Sequence, residues 1–204
     1  YATMDDMQKR SLDTCTKDYL ERILRLKPEF SEGLQGLAYS SGRSGLSPRL
    51  VVQALDLTQK ILRGTYRYSN GEEQIVLEDG KYVKINFSSS GQQECVWILN
   101  LLFYYLVQQK EILFIIEEPE SHLFPGSQKY ITELIALVNN CGHSIVLTTH
   151  SPYVLGTLNN LLYAKTISPQ ARKEANKIIR ESLWLDYNAF DSWFVKNGTI
   201  ENCM

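Results

Sequence analysis

Three short stretches between residues 88 and 152 carry residue types that can bind an anion and move a proton. The first is a Ser/Gly turn at 88–92 that opens a long apolar segment, and backbone N–H groups at such a helix start bind anions well. The second is an apolar run at 112–116 that ends in the adjacent carboxylates of Glu117 and Glu118. The third is an apolar run at 144–148 that delivers His150 to a similar strand end, before Ser-Pro starts a helix.

The two adjacent carboxylates fit the chemistry of nucleotide hydrolysis. That reaction needs one carboxylate to hold Mg²⁺ and a second to orient and deprotonate the attacking water. Neighbouring residues at a strand end can divide these tasks because their side chains point to opposite sides. A strand that ends in two acids is by itself typical of a solvated turn, but Glu-Pro-Glu-Ser-His-Leu-Phe-Pro follows here and His150 ends the next strand. This context favours a functional site.

The order and spacing of these stretches resemble the later half of an ABC-class ATPase head, most closely the soluble branch with the RecF, SMC and OLD-type (overcoming lysogenisation defect) proteins. The resemblance implies a signature motif at 88–92, a Walker B strand at 112–118, a D-loop at 118–125 and a switch histidine at His150. It implies that Glu117 holds Mg²⁺, that Glu118 is the general base and that His150 senses the γ-phosphate of ATP. The residues implied to bind nucleotide are Ser89, Ser90, Gly91 and Gln92.

The sequence departs from the family pattern at three positions. Glu117 stands where the family more often has Asp, Ser88 where it has Leu, and Ser90 where it has the first Gly. OLD-like proteins often have Ser-Ser-Gly-Gln here, so the signature favours that branch. The alternative for this stretch is a capped helix start, and the alternative for His150 is a structural histidine. A zinc site of Cys141, His143 and His150 lacks paired ligand spacing.

No P-loop, Gly-x-x-x-x-Gly-Lys-Ser/Thr, occurs in the chain. The Gly80-Lys81 pair is followed by Tyr82, and the glycine-rich stretch 41–45 has no lysine. We therefore expect the chain to be the C-terminal portion of a longer ATPase and to be inactive in isolation. The resemblance implies ATP and Mg²⁺ as cofactors, a second ATPase subunit that completes a composite site, and an effector protein or nucleic acid as a further partner.

The elements that position these residues predict an α/β fold with parallel strands, flanking helices, an antiparallel meander and a helical lobe. We expect a helical lobe at 1–63, an ATPase core at 64–166, and a C-terminal helix with the start of a hairpin at 167–204. The lobe is predicted to contain a helix to residue 26, a loop at 31–47 and a helix from Pro48. The core is predicted to contain strands at 65–69, 74–78 and 82–87, a helix at 91–110, a buried strand at 112–116, a helix at 127–140, a strand at 144–148 and a helix capped by Ser151. A polar helix at 168–181 and a hairpin whose second strand is cut off complete the prediction.

Composition is that of an ordinary globular protein. The 204 residues are 44% hydrophobic and 22% charged, with a net charge of −2, so no global field indicates nucleic acid or an anionic membrane. Four widely spaced cysteines, no leader and no apolar run of membrane-spanning length predict a cytoplasmic protein with reduced thiols. The start at Tyr1 suggests a fragment.

One face of the predicted C-terminal helix is basic and carries Arg172, Lys173, Lys177 and Arg180. We expect this face to be solvated, and a contact with DNA or a partner is the alternative.

The resemblance thus implies an ATP-binding, ATP-hydrolysing ABC-type subdomain that dimerises around ATP, with a role in DNA maintenance or phage defence. The alternative is a non-hydrolysing regulatory or scaffold module that docks on an intact ATPase. A metal-dependent nuclease that uses Glu117, Glu118 and Glu120 is disfavoured, because catalytic carboxylates in such sites usually come from several elements. No Toprim-like acidic motif follows Ala164.

Overall fold

A computed structural model describes residues 11–40 and 45–203, and these residues divide into two compact units, one up to Gln109 and one from Lys110. The predicted α/β class is confirmed. The helices are α1 (Thr14–Leu26), α2 (Gly33–Ser40), α3 (Pro48–Leu62) and α4 (Ser90–Gln108) in the first unit, and α5 (Pro125–Asn140), α6 (Pro152–Thr166) and α7 (Arg172–Ile178) in the second. The strands are β1 (Thr65–Ser69), β2 (Glu72–Val76) and β3 (Tyr82–Lys84), then β4 (Leu113–Glu117) and β5 (Ser144–Thr148), and last β6 (Trp193–Lys196) and β7 (Thr199–Asn202). None of the helices in the described ranges is long and apolar enough to span a membrane. The domain boundaries drawn from the sequence stay predictions.

The helices of the first unit differ from the prediction at two places: the predicted helix to residue 26 is interrupted at Leu12 and Asp13, and part of the predicted loop is helical. Helix α1 begins at Thr14, where the Asp13 carboxylate accepts from the Thr16 amide at 2.9 Å; the start of the predicted helix, residues 1–10, lies outside the described residues. The predicted loop at 31–47 is wrong for residues 33–40, which form α2, while residues 41–44 are not described. Leu34 and Leu37 are almost fully buried, and the packing of this helix on β1 and α4 outweighs its Ser/Gly-rich composition.

The three-stranded antiparallel meander is confirmed, with β2 in the middle. Asn70 and Gly71 adopt φ values of 54° and 78°, the left-handed pair that a two-residue hairpin turn needs. Strand β2 begins at Glu72, two residues earlier than predicted, because the tight turn lets Glu72 pair with Ser69. The third strand ends at Lys84, since the chain turns into a 3₁₀ segment at Ile85–Phe87 that leads to Ser88.

A buried aromatic cluster ties the meander to the long helix α4. Phe30, Tyr66 and Trp97 meet edge to face, with ring centroids 5.5 to 5.9 Å apart. The Glu73 carboxylate accepts from the Tyr66 hydroxyl at 3.0 Å and from the Trp97 indole at 2.8 Å, and it pairs with Lys27 at 2.7 Å. These contacts fix the helix whose first turn carries the predicted signature motif.

Strands β4 and β5 form a parallel pair joined through α5, as the sequence predicts. In register, Glu117 lies opposite Thr148, so the residues after each strand emerge at one edge. The prediction that β4 is buried is wrong for one face: Leu113 is 56% exposed, Ile115 73% and Val146 54%, whereas Ile116 is 7% exposed. The described residues of the chain cover the face that carries Ile116 and leave the other face open.

The C-terminal segment differs from the prediction in the length of its helix and in its hairpin, which has both strands. The predicted polar helix at 168–181 shrinks to α7, because the chain leaves the helix after Ile178 and the Asn176 side chain accepts from the Glu181 amide at 2.7 Å. The hairpin that was expected to lose its second strand has both, since Asn197 and Gly198 form a left-handed turn and Thr199–Asn202 pairs back on Trp193–Lys196.

Candidate functional site

The backbone at the end of β4 places Glu118 in an uncommon conformation. Its φ is 43°, in the left-handed region that few residues other than glycine adopt. Its amide donates to the Thr148 carbonyl at 3.1 Å and contacts the Thr148 hydroxyl at 3.3 Å. Left-handed non-glycine residues concentrate where a side chain must be aimed. Here the turn directs Glu118 toward the end of β5.

The structure brings Glu118 and His150 together. Nε2 of His150 lies 3.3 Å from Oε1 of Glu118, and the Ser121 hydroxyl donates to the other carboxylate oxygen at 3.3 Å. The Glu118 side chain is 49% exposed and that of His150 is 87% exposed, so both face solvent from which a ligand can approach. A carboxylate and an imidazole in this arrangement can accept a proton and donate a hydrogen bond.

Glu117 ends β4 as an exposed carboxylate opposite Thr148. Within the described ranges, no group of three or more His, Cys, Asp or Glu side chains is arranged to hold a metal ion. Mg²⁺ in phosphate-transfer sites is usually held by one or two carboxylates together with substrate phosphates and water. A single accessible carboxylate such as Glu117 fits that ligand type, and a metal at this place would depend on the phosphates of a nucleotide.

The predicted signature residues lie in the first unit, at the start of α4. Ser89 is the N-cap: its hydroxyl oxygen accepts from the Gln92 amide at 3.3 Å, and the Gln92 side-chain oxygen accepts from the Ser89 amide at 3.0 Å. This is a capping box. Ser89 and Ser90 are exposed and Gly91 is buried. The turn is therefore a capped helix start, and its exposed serines remain accessible to an anion.

Gln92 also makes a long-range contact that sequence reasoning missed. Its side-chain amide donates to the Leu62 carbonyl at 2.6 Å, at the last residue of α3. The capping box and this bond together anchor the signature turn to a second helix. The sequence carries no signal for the contact, because Leu62 is thirty positions earlier and offers only its backbone.

Glu120 is the second residue whose place the sequence did not reveal. It is 7% exposed, and its Oε1 accepts from the Thr149 hydroxyl and, at 3.1 Å, from the His150 amide. Its Oε2 is buried and has no hydrogen-bond partner among the described residues. Glu120 thus faces inward, whereas Glu117 and Glu118 are exposed. The available signal was the pairing of a Glu-Pro-Glu turn after one strand with Thr-Thr-His after the next.

A polar network continues from this loop into α5 and α6. Ser151 caps α6 as predicted, since its hydroxyl accepts from the amides of Tyr153 and Val154 at 3.1 and 3.3 Å. The same hydroxyl donates to the Gln128 side chain at 2.5 Å, and Gln128 donates to the Leu123 carbonyl at 2.8 Å. Segment 118–125 and the segment after β5 are therefore held together by the side chains of Gln128 and Ser151.

The other two histidines stand apart from the Glu118–His150 pair. His122 is exposed in the predicted D-loop, residues 118–125, with φ of 56°. His143 is 4% exposed between α5 and β5, and its ring meets Phe114 edge to face at 5.9 Å. Burial lowers the pKa of His143, and nearby Glu111 opposes this effect to a smaller degree. His143 is a neutral core residue at physiological pH.

The chain belongs to the AAA ATPase domain family, whose pattern matches residues 3–155. It is also similar to the cytochrome c biogenesis ATP-binding export protein CcmA of Bartonella quintana (strain Toulouse), with 31% identity over 98 residues. That similarity covers 48% of this chain and 45% of the relative, so the chain spans less than half of the curated relative's length. Family and relative together support ATP binding and an ATPase activity in general.

Proposed function

We propose that this chain is the part of an ABC-type ATPase that carries the signature motif, the Walker B acids and the switch histidine. The observation that carries the proposal is the 3.3 Å approach of His150 to Glu118 at the edge of a parallel strand pair. Family membership over residues 3–155 supports it independently. The soluble OLD/RecF/SMC-like branch is the best match for a signature of the Ser-Ser-Gly-Gln form.

Glu118 is the general base in this proposal. Its half-exposed carboxylate accepts a proton from a water molecule as that water attacks the γ-phosphorus of ATP. The bond between the γ-phosphorus and the bridging oxygen to the β-phosphate breaks, and ADP and inorganic phosphate leave. The Ser121 hydroxyl and the left-handed backbone at Glu118 hold the carboxylate in place before the reaction.

Glu117 would hold Mg²⁺, either directly or through water, with the nucleotide phosphates as the remaining ligands. The ion, when bound, neutralises charge on the phosphate oxygens. The additional methylene of Glu compared with Asp gives the carboxylate a longer reach. His150 would donate a hydrogen bond to a γ-phosphate oxygen from its exposed imidazole, which contacts Glu118 on one side and leaves the rest of the ring accessible.

The signature turn at Ser89, Ser90, Gly91 and Gln92 would bind the γ-phosphate of a nucleotide held by a second ATPase subunit. Exposed hydroxyls and backbone N–H groups at the start of the nineteen-residue helix α4 suit this role. The nucleotide-bound P-loop must come from elsewhere, because the chain has none. We therefore propose a composite site in an ATP-dependent dimer, an isolated chain that does not turn over ATP, and an effector role in DNA maintenance or phage defence.

The proposal is tested with Glu118→Gln in the complete ATPase. The amide keeps the shape but cannot accept the water's proton, so kcat should fall by about 10²–10⁴-fold while ATP binding persists. Steady-state phosphate release and equilibrium nucleotide binding measure the two effects. Glu117→Gln is the matched control: it should raise the Mg²⁺ concentration needed for activity. Near-normal turnover by Glu118→Gln would refute the assignment of the base, and a parent that binds ATP without turnover would favour the scaffold alternative.

A further inference from the structure

Glu120 occupies a different position from the two acids before it. It follows Glu118 by two residues, yet it is 7% exposed while the Glu118 side chain is 49% exposed. Buried carboxylates are costly unless they are hydrogen-bonded. Glu120 accepts two hydrogen bonds on one oxygen, from the Thr149 hydroxyl and the His150 amide. Its second oxygen is buried and has no partner within residues 11–40 and 45–203.

These contacts join the turn after β4 to the segment after β5 next to the reactive pair. Strand pairing fixes the two backbones only as far as Glu117 and Thr148. Beyond that point the Glu118 amide bonds to Thr148, and Glu120 bonds to the next two residues, Thr149 and His150. The Thr149 hydroxyl in turn accepts from the Ser151 amide at 3.0 Å. Glu120 therefore holds the backbone on which the exposed His150 side chain is carried.

We infer that Glu120 is a positioning residue: its buried carboxylate sets the place of His150 relative to Glu118. The inference rests on the proposed function for its effect on hydrolysis, but the tether itself is a property of the chain. An exposed imidazole gains little orientation from its own surroundings, so the hydrogen bond to its backbone amide supplies the constraint. Loss of the tether should displace His150 from Glu118, and a displacement of about 1 Å can cost up to about 10²-fold in rate.

The tether is tested by native-state hydrogen exchange of the 204-residue chain without nucleotide. Glu120→Ala should speed exchange at the His150 amide, while the amides in the middle of α5 keep their protection. Glu120→Gln keeps an acceptor oxygen and should preserve the protection of the His150 amide. Glu133→Ala is the matched control, since Glu133 is a glutamate of the same unit with 8% exposure that pairs with Lys129; it should leave the His150 amide unchanged. Unaltered exchange at His150 in Glu120→Ala would overturn the inference.

The catalytic consequence is tested by a double-mutant cycle in the complete ATPase. Glu120→Ala should lower kcat with little change in KM, and Glu120→Gln should restore most of it. In a His150→Ala background, Glu120→Ala should have no further effect, because a residue that acts through another loses its effect when that one is absent. The positioning role would be overturned if the losses in kcat from Glu120→Ala and His150→Ala multiplied in the double variant. It would also be overturned if Glu120→Gln and Glu120→Ala lowered kcat equally. If the parent does not hydrolyse ATP, the proposed function is refuted instead. The hydrogen-exchange experiment would then still show whether Glu120 holds the His150 backbone.

Discussion

The backbone conformation of Glu118, rather than a close-packed pocket, sets the direction of its side chain. A left-handed conformation at a non-glycine residue costs roughly 1–3 kcal/mol, and the amide contacts with Thr148 help to offset this cost. The side chain itself stays half exposed. An accessible carboxylate on a constrained backbone suits a group that must meet water and a phosphate without first breaking internal contacts.

The buried His143 should make the free energy of unfolding depend on pH. Burial lowers its pKa in the folded state below the ordinary value of 6.5. The unfolded chain therefore takes up this proton first as the pH falls below about 6.5, so the free energy of unfolding decreases until the lower folded-state pKa is passed. Each unit of pKa depression corresponds to about 1.4 kcal/mol. Urea unfolding at pH 7.5 and 5.5 measures the effect.

His143→Phe removes this titrating group from a site that already borders Phe114. The variant should lose less stability than the parent between pH 7.5 and 5.5. His122→Gln, at an exposed position, is the control and should keep the parental slope. Equal slopes for the parent and His143→Phe would contradict the assignment.

At the scale of elements, Gly64 lies between α3 and β1 and packs closely against β2. A Cβ added there would lie 2.7 Å from Ile75 Cγ2 and 2.7 Å from the Val76 carbonyl oxygen. Since the second neighbour is backbone, Gly64→Ala should force a shift of the meander and destabilise the fold by about 1–3 kcal/mol. Chemical unfolding of the purified variants measures the difference.

Gly156 provides the opposite case for comparison. It lies inside α6, and apart from its chain neighbours and the nearby helix backbone, no described atom comes within 4 Å of an added Cβ. Gly156→Ala should stabilise the chain by up to about 1 kcal/mol, because alanine favours the helix. A loss of stability at both positions would show that the space around the added Cβ does not determine the result.

Local patterns predicted the elements whose signals lie within a few residues. The Asn70-Gly71 turn, the Ser151-Pro152 helix start and the apolar runs of β4 and β5 are of this kind. Helix α2 was missed because its stability comes from Leu34 and Leu37 in the core and not from its composition. Gly33, the first residue of this helix, also depends on a distant part of the chain. Its φ is +69°, and an added Cβ would lie 3.2 Å from the Tyr66 carbonyl oxygen.

The candidate site was predictable to a similar extent. Two acids after one strand and a histidine after the next indicated a shared edge, and Glu118 and His150 do meet there. The contacts of Gln92 with Leu62 and of Glu120 with His150 depend on side-chain direction across different elements. A residue type alone does not specify that direction, so the sequence did not show that Glu120 is buried.

At the scale of the whole molecule, the part of the chain that the structure describes leaves one face of the parallel strand pair exposed. Leu113, Ile115 and Val146 lie on it together with Glu117 at its edge. Parallel strands are usually covered on both faces, and their apolar runs give the same pattern whether one or both faces are packed. The sequence therefore indicated a buried strand, while burial of each face depends on which elements pack against it.

The composite site of the proposed dimer makes Ser89 the most informative position for association. The proposal has this serine meet the γ-phosphate held by a partner subunit, so Ser89→Phe should leave nucleotide binding by one subunit intact and block ATP-dependent dimerisation. A Glu118→Gln background prevents hydrolysis and keeps ATP in place during the measurement. Multi-angle light scattering of the complete ATPase with and without Mg-ATP reports the mass directly.

Because Ser89 also caps α4, the loss of the cap must be separated from the steric block. Ser89→Ala provides this control: both substitutions remove the hydroxyl that accepts from the Gln92 amide, at a cost of about 1 kcal/mol in stability. The two variants should unfold at similar denaturant concentrations, whereas only the bulky ring should abolish the dimer. If Ser89→Phe and Ser89→Ala both dimerise like the parent, then the turn at 88–92 is a helix cap and the partner's phosphate lies elsewhere.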